Sequence, residues 1–122
     1  GVAILNEVKT LGVGTDVILQ SETFPTGLVN VTLDKNGSAT YDIHYPAAWD
    51  KIKINDLGQN LVNNSDVLIY GSLVCRDEVS RKSLESLLQH EIYKVFDVNL
   101  RKPHYSSRSP AHGVPLSTCV PL

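Results

Sequence analysis

The amino-acid pattern predicts an α/β fold, an αβαβ run with parallel strands that carries a projecting β-hairpin. Two observations place the parallel strands. Val67-Leu68-Ile69-Tyr70 and the segment Lys94 to Leu100 read as strands buried on both faces. They are separated by roughly 20 residues holding a helical stripe, the length of a right-handed parallel βαβ crossover. A third observation places the hairpin. Leu28 to Leu33 and Ala39 to Tyr45 alternate apolar and polar residues around Asp34-Lys35-Asn36-Gly37, and Asn-Gly is the strongest short-range hairpin signal.

The elements follow in chain order. Val2, Ile4, Leu5, Val8 and Leu11 lie on one helical stripe, and Gly12 stands where a C-terminal stop belongs. No Ser, Thr, Asp or Asn precedes that helix to cap it, and the chain contains no methionine, so residue 1 is read as lying inside a helix that begins earlier. Val13 to Gln20 is a connection, with Val17 to Leu19 as a short strand. Phe24-Pro25-Thr26-Gly27 has turn chemistry. In the hairpin, Val29, Val31 and Leu33 share a face with Tyr41, Ile43 and Tyr45; Asn30, Thr32, Asp42 and His44 occupy the other. Pro46 to Asp50 breaks the alternation. Asp56 is predicted to cap a short helix with Leu57, Leu61 and Val62 inward, weakened at Gly58. Ser80 is predicted to cap a second helix with Leu84, Leu87 and Leu88 inward. Residues 106–122 contain Pro110, Pro115 and Pro121 with no usable period, where a helix should return across the sheet. They read as a discordant end, from a foreign scar, a frameshift or a truncated gene. The expected organisation is residues 1–20 as helix and connection, 21–48 as hairpin, 49–105 as the αβαβ part and 106–122 as irregular tail.

Composition narrows the function classes. The 122 residues, 13.4 kDa, are 42% hydrophobic with mean hydropathy -0.07, enough for a core and against wholesale disorder. Eleven basic residues against thirteen acidic ones, without a basic run, argue against a nucleic-acid partner. Apolar runs of a handful of residues fall far short of the roughly 20 that cross a bilayer. Cys75 and Cys119 read as incidental thiols of a reducing cytoplasm. Phosphate-binding glycine loops and the nucleophile-elbow pattern are absent, and the four histidines have no common ligand spacing.

The polar residues at the end of the second parallel strand have the best pattern for chemistry. Asp97, Asn99 and Arg101 alternate, so period 2 puts them on one side. At the carboxyl end of an open α/β sheet, they serve either a polyol ligand or a network satisfying loop backbone. Gly71 ends the other strand, either as a plain turn or where a ligand approaches the backbone closely. His44 reads as a surface residue and Trp49 as packing.

Several segments together resemble one family. Phe24-Pro25-Thr26-Gly27 followed by Val29-Asn30-Val31-Thr32-Leu33-Asp34 resembles the PTG-x-V-x-V-x-L-D stretch of ribokinase-like (PfkB) carbohydrate kinases, fructokinase-like members above all. Pro46-Ala47-Ala48-Trp49-Asp50, Gly71-Ser72-Leu73, Arg76, Ser80-Arg81, Phe96-Asp97-Val98-Asn99-Leu100-Arg101 and Pro103-Tyr105-Ser106 follow in that family's order. The resemblance covers about Val2 to Ser106.

It implies a three-layer α/β/α sandwich with a small β lid over the sugar, here represented by a central fragment. It implies transfer of the ATP γ-phosphoryl group to a sugar hydroxyl, with Mg²⁺ and a fructose-like substrate; the uncovered apolar hairpin face and unpaired strand edges further predict a homo-oligomer through the lid or the sheet edges. On this mapping Val29, Val31, Tyr41 and Ile43 line the sugar side, and Asn99 and Arg101 lie near the sugar or the phosphates. The family's Gly-Gly-x-x-x-Asn, Asn-x-x-Glu and Gly-Ala-Gly-Asp motifs do not occur in the chain. Without that catalytic Asp and its anion hole, the expectation is a kinase fragment inactive alone, with no cofactor of its own. The alternative is a non-catalytic module that binds sugar or oligomerises.

Overall fold

In a computed structural model, residues 1–98 are described. Their order is α1 (Val2–Thr10), β1 (Val29–Leu33), β2 (Ala39–Ile43), α2 (Asp56–Asn63), β3 (Val67–Gly71), α3 (Glu78–Leu87) and β4 (Tyr93–Asp97), with short 3-10 helices at Ala48–Lys51 and Ser72–Arg76. The strands form two separate two-stranded sheets, β1–β2 antiparallel and β3–β4 parallel.

Helix α1 ends as expected. Gly12 takes φ 74°, its N–H reaches the Lys9 carbonyl at 3.0 Å and the Val13 N–H reaches that of Val8 at 3.3 Å. These two bonds are the paired closure of a left-handed helix end. Its apolar stripe buries no residue. Val17 to Leu19 forms a turn and extended connection rather than a strand.

The hairpin register pairs Val29 with Ile43, Val31 with Tyr41 and Leu33 with Ala39, which keeps the apolar residues on one face. The Asp34 carboxylate closes the tip by accepting the N–H groups of Asn36 and Ser38, both at 2.8 Å. Gly37 adopts φ 79°.

Two helix starts differ from expectation by one rule. The residue whose side-chain oxygen reaches a free N–H of the first turn is the cap, and here it lies upstream of the chosen one. Asn55, not Asp56, caps α2 by accepting the Gly58 N–H at 3.0 Å. Asp77, not Ser80, caps α3 by accepting the Val79 N–H at 2.9 Å. Ser80 instead lies inside the helix, buried, and bonds the 3-10 segment.

The main core sits between β3–β4 and α3. Tyr70, Cys75, Leu84 and Leu88 are buried, with Leu68, Val74 and Phe96 against them. Tyr70 and Phe96 stack at 5.1 Å between ring centroids. The opposite sheet face is open: Ile69 is 72% exposed and Tyr93 80%, beside exposed Val67 and Val95. The expectation of strands buried on both faces is therefore corrected. Strand period 2 gives each strand one face on α3, and no described element covers the other. Leu57 and Leu61 are likewise exposed, and only Val62 of that stripe is buried. Cys75 is fully buried and disulfide-bonded, not an incidental thiol.

Gly58 is buried in α2 because Ile54 fills the space beside it. A Cβ there would come within 2.6 Å of Ile54 Cδ1. What reads as a weak point in the helix is a close-packing position.

Candidate functional site

The hairpin and the carboxyl end of β3 meet through the segment Tyr45 to Lys51. The chain enters the hairpin through Phe24 to Gly27 and leaves it through Tyr45 to Asp50, and these two stretches touch. The Ala48 N–H donates to the Pro25 carbonyl at 2.8 Å. Gly27 lies flat against the indole of Trp49, where a Cβ would stand 3.1 Å from the ring.

Below this base lies a buried ion pair. Arg76 Nε donates to Asp50 Oδ1 at 2.6 Å and Nη2 to Oδ2 at 2.8 Å, a bidentate fork. The side chains are 3% and 1% exposed. Asp50 Oδ2 also accepts the Ala47 N–H at 2.8 Å. Arg76 Nη2 donates to the His44 carbonyl at 2.8 Å, and the guanidinium lies 5.4 Å from the Tyr45 ring centre and 5.5 Å from that of Trp49. These contacts surround a desolvated charge with partners, the condition under which it is tolerated.

Asp77, the next residue, holds the other side of the segment. Its Oδ2 accepts the Tyr45 hydroxyl at 2.7 Å and Lys51 Nζ at 2.5 Å. Burial pushes the Asp77 carboxyl up, but hydrogen bonds from Lys51, Tyr45 and the Val79 N–H together outweigh it and hold it below the ordinary Asp range. The hydrogen bond to Asp77 raises the Tyr45 phenol, and the same carboxylate raises Lys51. Ser80 Oγ donates to the Trp49 carbonyl at 2.7 Å and accepts the Ile52 N–H at 2.9 Å. Ser83 repeats the pattern one turn later with the Ile52 carbonyl at 2.7 Å and the Ile54 N–H at 3.2 Å.

Among the described residues no buried side-chain polar atom lacks a partner. The base of the hairpin is therefore an anchor and presents no unengaged nucleophile. What it holds up is the hairpin's apolar face. Val29, Val31 and Tyr41 are 43%, 55% and 44% exposed, whereas Ile43 is 7% exposed at the anchored end of that face. On the other face Asn30 Nδ2 and His44 Nε2 lie 2.8 Å apart, with Asp42 3.8 Å from the same ring nitrogen.

The carboxyl end of the parallel sheet is only partly described. Asp97 pairs in register with Gly71 and is exposed. Asn99 and Arg101, the other two members of the expected polar cluster, lie outside the described residues, as does the tail from residue 106. Gly71 lines a cleft of about 240 Å³ with Trp49, Ile52, Leu73 and Val74. A Cβ at Gly71 would meet only the Asp97 carbonyl, at 3.8 Å, so plain packing there does not require glycine. A second cleft of about 500 Å³ runs along Val17 to Ser21, bounded by Trp49 and Ile52. Among the described residues, no three His, Cys, Asp or Glu side chains come together to hold a metal ion. No described helix is long and apolar enough to cross a membrane.

Sequence reasoning missed Asp50, Lys51, Arg76 and Asp77 as a group. Asp50 and Arg76 stand inside segments that carry the family resemblance, but a buried ion pair has no periodic signature. Only the folded chain brings together residues that are 26 positions apart.

No family model matches the chain, and no curated protein matches it. Solved structures do. An uncharacterized sugar kinase from Pyrococcus horikoshii matches with TM-score 0.73 and 24% identity over 81% of this chain and 33% of its own. A fructokinase from Xylella fastidiosa matches with TM-score 0.67 and 22% identity over 81% of this chain and 32% of its own. The chain thus spans about a third of the length of the solved structures it matches. At the level of fold, it is an α/β portion of the kind found in these sugar kinases, in agreement with the resemblance carried by its motifs.

Proposed function

We propose that the chain is the hairpin-bearing part of a fructokinase-like sugar kinase of the ribokinase-like family. The observation that carries this reading is the fold likeness to two sugar kinases over 81% of the chain, and the ordered motifs from Phe24 to Arg101 support it. In the whole enzyme the γ-phosphoryl group of ATP passes to a sugar hydroxyl, a reaction run by positioning and charge stabilisation. ATP and Mg²⁺ supply the transferred group and its charge neutralisation.

The hairpin is the lid of that enzyme. Val29, Val31 and Tyr41 present its sugar side, with Ile43 at the base of the same face; Asn99 and Arg101, outside the described residues, are assigned to the sugar or the phosphates by the family resemblance alone. Apolar side chains over a sugar exclude water from the transfer. A second helical layer of a three-layer sandwich covers the open face of β3–β4. The 122-residue chain alone, without Gly-Ala-Gly-Asp, does not turn over.

Titration of the labelled chain with fructose, followed by amide chemical shifts, tests the sugar-side assignment. Saturable shifts confined to Val29, Val31, Tyr41 and their neighbours support it; shifts elsewhere, or none at high sugar, remove it. A coupled assay with ATP, Mg²⁺ and fructose should show no turnover. Turnover that persists through repurification would contradict the inactivity of the chain.

A further inference from the structure

We propose that Arg76 is the positioning residue that sets the angle of the hairpin over the parallel sheet. The functional meaning of that angle rests on the reading of the hairpin as a lid; the mechanical claim does not. Apart from each other, β1 and β2 pack extensively on no described strand or helix, so among the described residues the hairpin is held at its base. At its last rung that base is gripped by a planar group. The guanidinium forks onto Asp50, donates to the His44 carbonyl and lies near the rings of Tyr45 and Trp49.

His44 is the last residue of the hairpin ladder, because its N–H donates to the Leu28 carbonyl at 3.0 Å. Arg76 ends the 3-10 helix that continues β3 directly. One side chain therefore ties the final rung of the antiparallel ladder to the end of the parallel strand. The fork fixes orientation as well as distance, because two parallel hydrogen bonds to one carboxylate leave the guanidinium little freedom to rotate. A lysine at this position keeps the charge and loses the fork.

Ser80 and Ser83 hold the segment farther along, at the Trp49 and Ile52 carbonyls and the Ile52 and Ile54 N–H groups, whereas Arg76 reaches the last rung itself at the His44 carbonyl. Lys51 and Tyr45 reach Asp77 through long side chains, and Tyr45 is 56% exposed. They tether the segment without setting an angle. Rotation about that tether would swing Val29, Val31 and Tyr41 toward or away from the carboxyl end of β3.

Residual dipolar couplings of backbone N–H groups report relative orientation directly. In the wild-type chain, couplings from β1–β2 and from β3–β4 with α3 should fit one alignment tensor. In Arg76→Lys they should need two, with the hairpin's degree of order reduced by about half or more. Asp50→Asn should act in the same direction but more weakly. Lys51→Met should leave a single tensor.

A wild type that already needs two tensors overturns the proposal, as does Arg76→Lys with one tensor and unchanged order. If Arg76→Lys and Asp50→Asn both fail to fold while the wild type fits one tensor, Arg76 is a folding element and the positioning role falls. These measurements contain no sugar. Their failure leaves the kinase reading standing, and a failed fructose titration leaves the positioning role standing.

Discussion

At the scale of single residues, Asp77 concentrates several functions in one carboxylate. It caps α3 and receives Tyr45 and Lys51. Its acidity in the folded chain is increased despite burial, so its contribution to stability has a definite sign. That contribution is fully present above the unfolded Asp value near 4 and is lost as pH falls through the lower folded value. Asp77→Asn keeps a capping oxygen and loses the charge. Denaturant titrations from pH 7 to pH 2 should show a lower plateau for the variant and a flatter acid limb; parallel curves would mean that Asp77 is not the group titrating. Gly27 offers a second test, because the single tryptophan reports on it. Gly27→Ala puts a methyl group about 3 Å from the Trp49 indole and should cost about 1–3 kcal/mol by overpacking. Trp49 emission should shift with it, since the ring beside Arg76 must give by a few tenths of an ångström. Unchanged emission would show that the turn yields instead.

At the scale of elements, α2 shows how a local rule is overridden. Replacing an interior helical glycine by alanine normally stabilises by about 1 kcal/mol. In α2 the new methyl meets Ile54. Gly58→Ala alone should therefore gain less than that or destabilise, whereas in an Ile54→Ala background it should recover the full gain. Equal effects in both backgrounds would mean that Ile54 rotates away freely. The elements also show what could be read before folding. Hairpin register was legible because alternation and the Asn36-Gly37 turn specify it jointly, and the Gly12 stop was legible because a left-handed helix end favours glycine. Parallel pairing followed from apolar runs and their spacing. Expected and observed caps differ by one and three residues because several oxygen-bearing side chains cluster around each helix start, and only geometry selects among them. Exposure of Ile69 and Tyr93 was illegible in principle, because a strand sequence names a face without naming what covers it. In the candidate site, the hairpin's apolar face could be read from period 2, while the anchor at Asp50, Lys51, Arg76 and Asp77 arises from long-range contacts alone.

At the scale of the whole molecule, no described element covers two apolar sheet faces, one on the hairpin and one on β3–β4. Val67, Ile69, Tyr93 and Val95 stand together on the latter, and contiguous apolar patches promote association. Light scattering at micromolar concentration should give a mass near twice 13.4 kDa or larger. Ile69→Lys combined with Tyr93→Lys should lower it toward the single-chain value. A wild type that stays monomeric would show that these faces are tolerated in water. The closed hairpin tip has a further consequence, in time. Asp34 satisfies the tip's own N–H groups and the strands are sequence neighbours, so this ladder can form within microseconds, before any distant contact exists. Pairing of β3 with β4 must first close a loop through α3 and is slower. Simultaneous protection of β2 and β3 amides would contradict that order; pulsed hydrogen exchange should instead show β2 protected first. The hairpin would then be the earlier structure, waiting for the later strand to deliver its guanidinium.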